Sequence, residues 1–155
     1  MRAKINKRNE KGASVAEFSV VALFFFMIIF GIIEFGRLLY THNALTDASR
    51  RGARYAVLHP LNDPCVTNVV IYGETHIDPK TCAATGPPLI NGLTSGNVVV
   101  TYQGSYGINI GTATVKIQNY TFNLSIPLIS RTLTMPAYTT TLPAESAGVI
   151  PPDID

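Results

Sequence analysis

The fold is decided by residues 12–56, which read GASVAEFSVVALFFFMIIFGIIEFGRLLYTHNALTDASRRGARYA. A basic segment precedes this stretch, an apolar run fills its first half, and an amphipathic helical pattern fills its second half. All ten prolines of the 155-residue chain stand at Pro60 or later. Because proline disrupts the interior of a helix, this distribution permits one unbroken helix over residues 13–58, with a length of about 69 Å.

The first half of this helix is apolar enough to cross a membrane. Residues 18–33 carry no charge and span about 24 Å. Extension to about residues 16–36 reaches the thickness of a hydrocarbon core, about 30 Å. A buried core helix is the alternative, but a small soluble domain has little room for a helix that is apolar on every side. We therefore predict a transmembrane segment at about residues 16–36.

Basic residues predict the orientation of this segment. Residues 1–12 form a basic leader with Arg2, Lys4, Lys7, Arg8 and Lys11. The apolar run is followed by Arg37, Arg50, Arg51 and Arg54. The leader is denser in charge and closer to the membrane edge, so the positive-inside rule favours a cytoplasmic N-terminus with the remainder outside.

A cleavable secretory signal is a competing interpretation, because it also combines a basic head with an apolar run. The segment that follows Ile33 reads EFGRLL and offers no small-x-small cleavage site. The helical pattern also continues through it. These two features favour a retained anchor.

The second half of the helix is amphipathic. At 100° per residue, one face carries apolar and small residues, namely Leu38, Thr41, Leu45, Ala48, Ser49, Gly52 and Ala56. Asp47 and three arginines lie on the other face, where Asp47 can pair with Arg50 or Arg51. Glu34 is expected to pair with Arg37 in the same way. The His59-Pro60 step ends the helix, since the residue before proline avoids helical geometry.

Residues 59–96 are rich in proline and glycine, and we predict a loop region tied by a disulfide. If this region is exported, Cys65 and Cys82 are expected to pair, which would stabilise the fold by about 3 kcal/mol through a loop of about 18 residues. In a reducing cytosol they would be free thiols. The short apolar run at residues 66–72 is compatible with either a helix or a strand.

The remaining sequence predicts strands. Residues 97–103 form the first, and residues 112–124 form a long second strand whose alternation changes phase near Gln118 and Asn119, which indicates a β-bulge. A third strand covers residues 132–142, where Pro136 favours an edge position. The predicted fold class is α+β, with a small antiparallel three-stranded sheet (residues 97–143) packed on the outer half of a long N-terminal helix. Residues 144–155 are predicted to be a flexible tail.

No arrangement of residues typical of an enzyme occurs in the sequence. His42, His59 and His76 share no metal-ligand spacing with one another or with the cysteines, which lack a CxxC motif. No phosphate-binding glycine loop is present. The net charge of +2 is too small to indicate nucleic-acid binding. We expect a protein that is not an enzyme and that uses no cofactor and no metal.

The sequence Lys11-Gly12-Ala13-Ser14-Val15-Ala16-Glu17-Phe18 resembles the processing site of class III prepilin leaders. The runs Gly36-Arg37-Leu38-Leu39-Tyr40 and Ala48-Ser49-Arg50-Arg51-Gly52-Ala53-Arg54 are similar to those of TadE-like proteins. These proteins are minor pilins or pseudopilins of the tight-adherence (Flp pilus) system. The resemblance covers about residues 12–56. It implies cleavage between Gly12 and Ala13 by a prepilin-type peptidase, which makes Glu17 the fifth residue of the mature chain.

The resemblance also implies a function. The chain would be a membrane-anchored structural subunit that takes part in assembly of tight-adherence (Flp, type IVb-like) pili for surface attachment. Its implied partners are the prepilin-type peptidase, other pilins, the pilus assembly platform in the bacterial inner membrane, and membrane lipid, with no nucleic acid. The alternative is an untrimmed single-pass envelope protein whose external domain is a binding or scaffold module.

Glu17 has two interpretations. A charge near the membrane core costs about 2.5–3.5 kcal/mol, which a partner would offset. A freed α-amino group on Ala13, four residues back or on a neighbouring subunit, would be such a partner, and in pilins the corresponding glutamate registers one subunit against the next. Alternatively, Glu17 lies among the lipid headgroups and only favours the helix dipole.

Overall fold

The long helix is present in the computed structural model, which describes residues 10–78, 80–104, 111–127 and 129–143. The first helix, α1, runs through Glu10–Leu58 over 49 residues, so the predicted unbroken helix is confirmed. At its end the His59 ring lies against the Tyr55 ring, and His59 Nδ1 lies 2.9 Å from the Tyr55 carbonyl oxygen. The basic residues at positions 2–8 and the predicted tail at 144–155 lie outside the described residues.

A second helix, α2, spans Cys65–Tyr72. Asp63 Oδ1 accepts a hydrogen bond of 2.8 Å from the Cys65 backbone N–H at the start of this helix. Gly73 ends it with a φ of +80° and donates its N–H to the Val69 carbonyl. The structure thus assigns residues 66–72, which the sequence left open, to a helix. Short 3-10 turns follow at Glu74–His76 and Ser95–Asn97.

Five strands form two antiparallel sheets. Their bounds are Val98–Gln103 (β1), Thr112–Ile117 (β2), Thr121–Ile126 (β3), Ile129–Thr134 (β4) and Tyr138–Pro143 (β5). The larger sheet has the order β1-β2-β5, and β3 pairs with β4 in a separate hairpin. The α+β class, with antiparallel sheets packed on the helix, is therefore as predicted.

The prediction of one strand over residues 112–124 is wrong. The chain leaves β2 after Ile117, passes through Asn119 with a φ of +56°, and enters β3 in the other sheet. The break is held by hydrogen bonds from Gln118 N–H to the Asn97 carbonyl and from Met135 N–H to the Tyr120 carbonyl. The change of phase in the sequence therefore marks a change of sheet and not a bulge.

The third predicted strand is also divided. Residues 135–137, which include Pro136, separate β4 from β5, because proline has no N–H to donate to a ladder. The predicted edge position is correct for β5, which lies at one side of the larger sheet.

Helix α2 and the two sheets together form the head, which is packed on the predicted face of α1. Leu45, Ala48 and Ser49 are fully or almost fully buried. Gly52 is a point of close approach, since an added Cβ there would overlap Val70 Cγ2 of α2 and lie 3.4 Å from Val115 Cγ1 of β2. On the opposite face, Asp47 pairs with Arg51 at 2.7 Å. The small residues of this face allow α2 and β2 to lie directly against the helix.

We predict that Gly52→Ala destabilises the head. The added methyl group overpacks the contact with Val70 at a cost of about 1–3 kcal/mol, which exceeds the gain of up to about 1 kcal/mol in helix propensity. Gly36→Ala is the control, because an added Cβ there meets nothing within 4 Å. Thermal unfolding of the detergent-solubilised protein, followed by near-ultraviolet circular dichroism, gives both values. Equal stability of the two variants would contradict the close approach.

Candidate functional site

The first half of α1 presents large apolar side chains to its surroundings. Twelve of them between Val15 and Phe35 are more than half exposed, among them Phe18, Val21, Phe24, Ile28, Ile32 and Phe35. By length and composition, α1 contains a stretch able to span a membrane, and no residue of that stretch is buried in the fold. This surface is therefore not a protein core, and contact with lipid or with other helices would remove it from water.

The predicted processing residues lie at the start of this surface. Gly12, Ala13, Glu17 and Phe18 are all exposed on α1, and an added Cβ at Gly12 meets nothing within 4 Å. Ala13 and Glu17 are four residues apart, so the helix places them on the same face. Glu17 takes part in neither of the two ion pairs found within the described part of the chain. The roles of these residues remain predictions.

Ser19 is the first polar residue after Glu17, and its hydroxyl is satisfied within the helix. Its Oγ donates to the Val15 carbonyl at 2.8 Å. Such a bond to the preceding turn removes the need for water. The polar side chain is therefore compatible with an apolar environment.

Arg37 joins the apolar half of α1 to the head. Its guanidinium forms the predicted ion pair with Glu34 at 2.9 Å and lies 4.4 Å from the centre of the Phe122 ring. It also donates a hydrogen bond to the Asn123 carbonyl. The Glu34 side chain is only 12% exposed. These contacts fix β3 against the helix at the point where the predicted membrane segment ends.

Two further polar contacts align β5 with α1. His42 Nδ1 lies 2.7 Å from the Tyr138 hydroxyl, and Ser49 Oγ lies 2.9 Å from Thr140 Oγ1. From the first pair to the second, the residue number rises on both the helix and the strand. Strand β5 therefore runs in the same direction as α1, away from the apolar half. Burial raises the pKa of Tyr138 above its ordinary value.

The two cysteines form a disulfide beside α2. Cys65 is the first residue of the helix, and its Cα lies 4.8 Å from that of Cys82. Asn68 Nδ2 donates to the Cys82 carbonyl at 2.7 Å. Asp63 has a carboxylate oxygen within 4.8 Å of both sulfurs. The bridged sulfurs are not thiolates, so this group cannot bind a metal as a cysteine site does.

The sequence identified the buried helix face, the Glu34–Arg37 pair and the cysteines, but it missed α2 and the contacts of Arg37 with β3. The spacing of Val66, Val69 and Val70 at i, i+3 and i+4 could have predicted the helix. No local pattern connects Arg37 with Asn123, which is 86 positions away.

A long helical rod with an exposed apolar half and a small α+β head on its other half is a pilin-like architecture. Residues 12–54 match the family described as TadE-like protein, so the chain carries a TadE-like family domain over this range. No curated protein and no solved structure matches the chain. Proteins of this family are typically structural and not enzymatic.

We predict that loss of the disulfide destabilises the head. Replacement of Cys65 and Cys82 by serine is expected to lower the free energy of unfolding by about 3 kcal/mol, because the unfolded chain gains conformational entropy when its loop is no longer closed. Urea unfolding of the detergent-solubilised protein measures this change. Addition of reductant should reproduce it in the wild type and have no further effect on the double variant. The prediction would be contradicted if reductant opens the bridge of the wild type without changing its free energy of unfolding.

We predict that the head loses stability above about pH 10. Burial raises the pKa of Tyr55, Tyr120 and Tyr138 from the ordinary value of 10.0. The stabilisation is complete while the unfolded tyrosines stay protonated, and it is lost as pH rises through the folded pKa values. Unfolding between pH 8 and pH 11 measures this slope.

Tyr138→Phe should make this slope shallower. Loss of the hydroxyl beside His42 should also lower stability at neutral pH by about 1 kcal/mol. Tyr40→Phe is the control, since Tyr40 is 70% exposed. An unchanged slope in Tyr138→Phe would show that burial of this hydroxyl does not contribute.

Proposed function

We propose that the chain is a minor pilin or pseudopilin that takes part in assembly of tight-adherence (Flp, type IVb-like) pili. The observation that carries this proposal is the exposed apolar half of α1, which begins within the TadE-like match over residues 12–54. Such a surface needs a nonaqueous environment. A membrane before assembly and the helices of neighbouring pilins after assembly would both supply it.

The proposed topology is a single pass with the N-terminus in the cytoplasm. The predicted membrane segment at about residues 16–36 ends where Arg37 binds β3. Buried contacts with the head begin at Thr41 and continue to Ala56. The head then lies outside the bacterial inner membrane, where the oxidising environment suits the Cys65–Cys82 bridge. Surface attachment through the pilus is the cellular role that we propose.

Gly12 and Ala13 are the proposed cleavage site of a prepilin-type peptidase. Both are exposed on the helix. Cleavage would free an α-amino group on Ala13, one helical turn from Glu17 and on the same face. In the apolar environment of a membrane or a helical bundle, a cation would offset the cost of the Glu17 charge. The freed amino group of this subunit or of its neighbour would supply it and so register the two subunits.

An untrimmed envelope protein with a binding or scaffold head is the second candidate. An open groove of roughly 380 Å³ beside α1 favours it. The groove is lined by Tyr40, Asn43, Ala44, Asp47, Arg51, Leu89 and Ile90. Its partly apolar lining would suit a peptide or a loop of another protein. This candidate needs neither cleavage after Gly12 nor a role for Glu17.

The N-terminus of the protein purified from native membranes distinguishes the two candidates. Mass spectrometry is expected to find a mature N-terminus at Ala13. Gly12→Leu should abolish trimming, whereas Gly31→Leu should not, although an added Cβ meets nothing at either glycine. A native N-terminus at Met1 or Arg2 would favour the untrimmed protein. A terminus beyond Ile33 would indicate an ordinary signal peptide.

We predict that Glu17→Gln leaves membrane insertion intact but lowers incorporation into pili by about tenfold or more, because it leaves one charge of a buried pair without a partner. Recovery of the protein with sheared pili, relative to its amount in membranes, measures incorporation. Glu10→Gln is the control, since it removes a carboxylate that trimming discards. Equal incorporation of both variants would rule out registration by Glu17.

A further inference from the structure

The β3–β4 hairpin has one apolar face and one polar face. Residues directly opposite in an antiparallel pair share a face, and the register pairs Phe122 with Leu133, Leu124 with Arg131 and Ile126 with Ile129. The intervening positions form the other face and are all polar: Thr121, Asn123, Ser125, Ser130, Thr132 and Thr134. Within the described strands, the hairpin pairs with neither edge of the larger sheet.

Helix α1 covers only part of the apolar face. Phe122 of β3 is buried and has the Arg37 guanidinium over its ring. Every residue of β4 is exposed, including Ile129 at 43% and Leu133 at 40%. The turn residue Pro127 is exposed as well. The β4 side of the hairpin therefore presents a partly exposed apolar edge.

The turn of this hairpin points toward the apolar half of α1. Strand β2 runs antiparallel to β5, so it runs toward the N-terminal end of α1. It ends with Ile117 opposite Tyr138, the residue that contacts His42 of α1. Six residues later, Asn123 is bound to Arg37, which lies five residues earlier in α1. The chain therefore continues toward the N-terminal end of α1 through β3.

If β3 keeps this direction beyond Asn123, Ile126 comes to the level of the predicted membrane segment. Three residues of strand from Asn123 to Ile126 cover about 10 Å, which corresponds to about seven residues of helix. Arg37 less seven is position 30, well inside the segment predicted at about residues 16–36. The residues on either side of this turn, Ile126 and Ile129, are both apolar.

We propose that the β3–β4 hairpin is a second membrane contact, in which Ile126, Pro127 and the β4 edge enter the outer leaflet beside α1. The ligand is phospholipid, with Ile126, Ile129 and Leu133 at the boundary of the acyl chains and Arg131 at the phosphates. This inference rests on the membrane topology proposed above. The hairpin would then fix how deeply the rod is inserted and which side of the head faces the membrane.

Lipid fits this surface better than a second protein does. Arg131 lies on the apolar face between Ile129 and Leu133, and a dry protein interface would have to bury its charge at a high cost. At a bilayer surface, a long basic side chain extends to the phosphates while its neighbours contact the acyl chains.

Tryptophan provides a direct test, because the chain contains none. The full-length protein is prepared with one tryptophan at a time, as Ile129→Trp, Leu133→Trp, Phe26→Trp or Thr134→Trp. All four positions are exposed, so the fold tolerates the substitutions. Each variant is reconstituted in phosphatidylcholine–phosphatidylglycerol vesicles with or without brominated acyl chains, which quench tryptophan on contact.

Ile129→Trp is expected to have blue-shifted emission and to lose about half of it in brominated lipid, since interfacial segments lie about 5–10 Å into the acyl boundary. Leu133→Trp should be quenched less. Thr134→Trp, which lies on the polar face away from the turn, should be unaffected. Phe26→Trp, in the predicted membrane segment, should be quenched strongly and reports on the topology itself.

The outcomes separate this inference from the proposed function. If Phe26→Trp is quenched while Ile129→Trp behaves like Thr134→Trp, the hairpin does not contact lipid and the inference is wrong although the topology stands. Blue-shifted but unquenched emission from Ile129→Trp that reverts on dilution with lipid would assign the edge to a neighbouring subunit and overturn it too. An unquenched Phe26→Trp would overturn both the topology and the inference.

Discussion

The contact of Gly52 with Val70 is the interaction on which the head depends. A side chain at this position of α1 would overlap the Val70 side chain, so α2 can lie against α1 only because glycine stands there. Ala48 and Ala56, one turn to either side, are fully buried and extend the close approach. Val115 of β2 packs over the same glycine. Helix α2 and the larger sheet therefore both contact α1 at the same small area around Gly52.

The two halves of α1 have different surfaces, and Arg37 lies where one changes to the other. On the N-terminal side of Arg37, the side chains of α1 are large, apolar and exposed. On its C-terminal side, many are small on the buried face and charged on the opposite face. A guanidinium suits this boundary because its planar group can contact an aromatic ring, a carboxylate and a carbonyl at once, and here it contacts Phe122, Glu34 and Asn123. The hairpin is held to the helix chiefly at this place.

Features that depend on local periodicity could be predicted from the sequence, and features that depend on distant pairing could not. The helix, its buried face and the Glu34–Arg37 pair all follow from spacing along one element. The strands were placed nearly correctly, but the breaks at Asn119 and Pro136 were misassigned. The polar–apolar alternation changes phase in the same way whether a strand contains a bulge or the chain leaves it for another sheet, so the sequence alone does not distinguish the two. Only the pairing of β5 with β2 and of β4 with β3 distinguishes the two.

The candidate site shows a similar division. Gly12 and Glu17 were found through their resemblance to a prepilin leader, and their position on an exposed face of α1 is compatible with it. The role proposed for them depends on a peptidase and on neighbouring subunits, so contacts within this chain do not encode it. The contacts of Arg37 with Phe122 and Asn123 bring together segments distant in sequence, which composition and spacing do not reveal.

The unbroken helix has a mechanical consequence. A pull on the N-terminal end of α1 reaches the head without passing through a hinge, because no proline interrupts the 49-residue rod. The load arrives as shear between the small-residue face of α1 and the elements that lie on it. The Cys65–Cys82 bridge links α2 to its own loop and does not cross from the rod to the head, so it lies outside the path of the force. The backbone of residues 59–64 joins the head to the end of α1, so the noncovalent packing resists only the peeling of the head from the helix face, while the disulfide preserves the shape of the head.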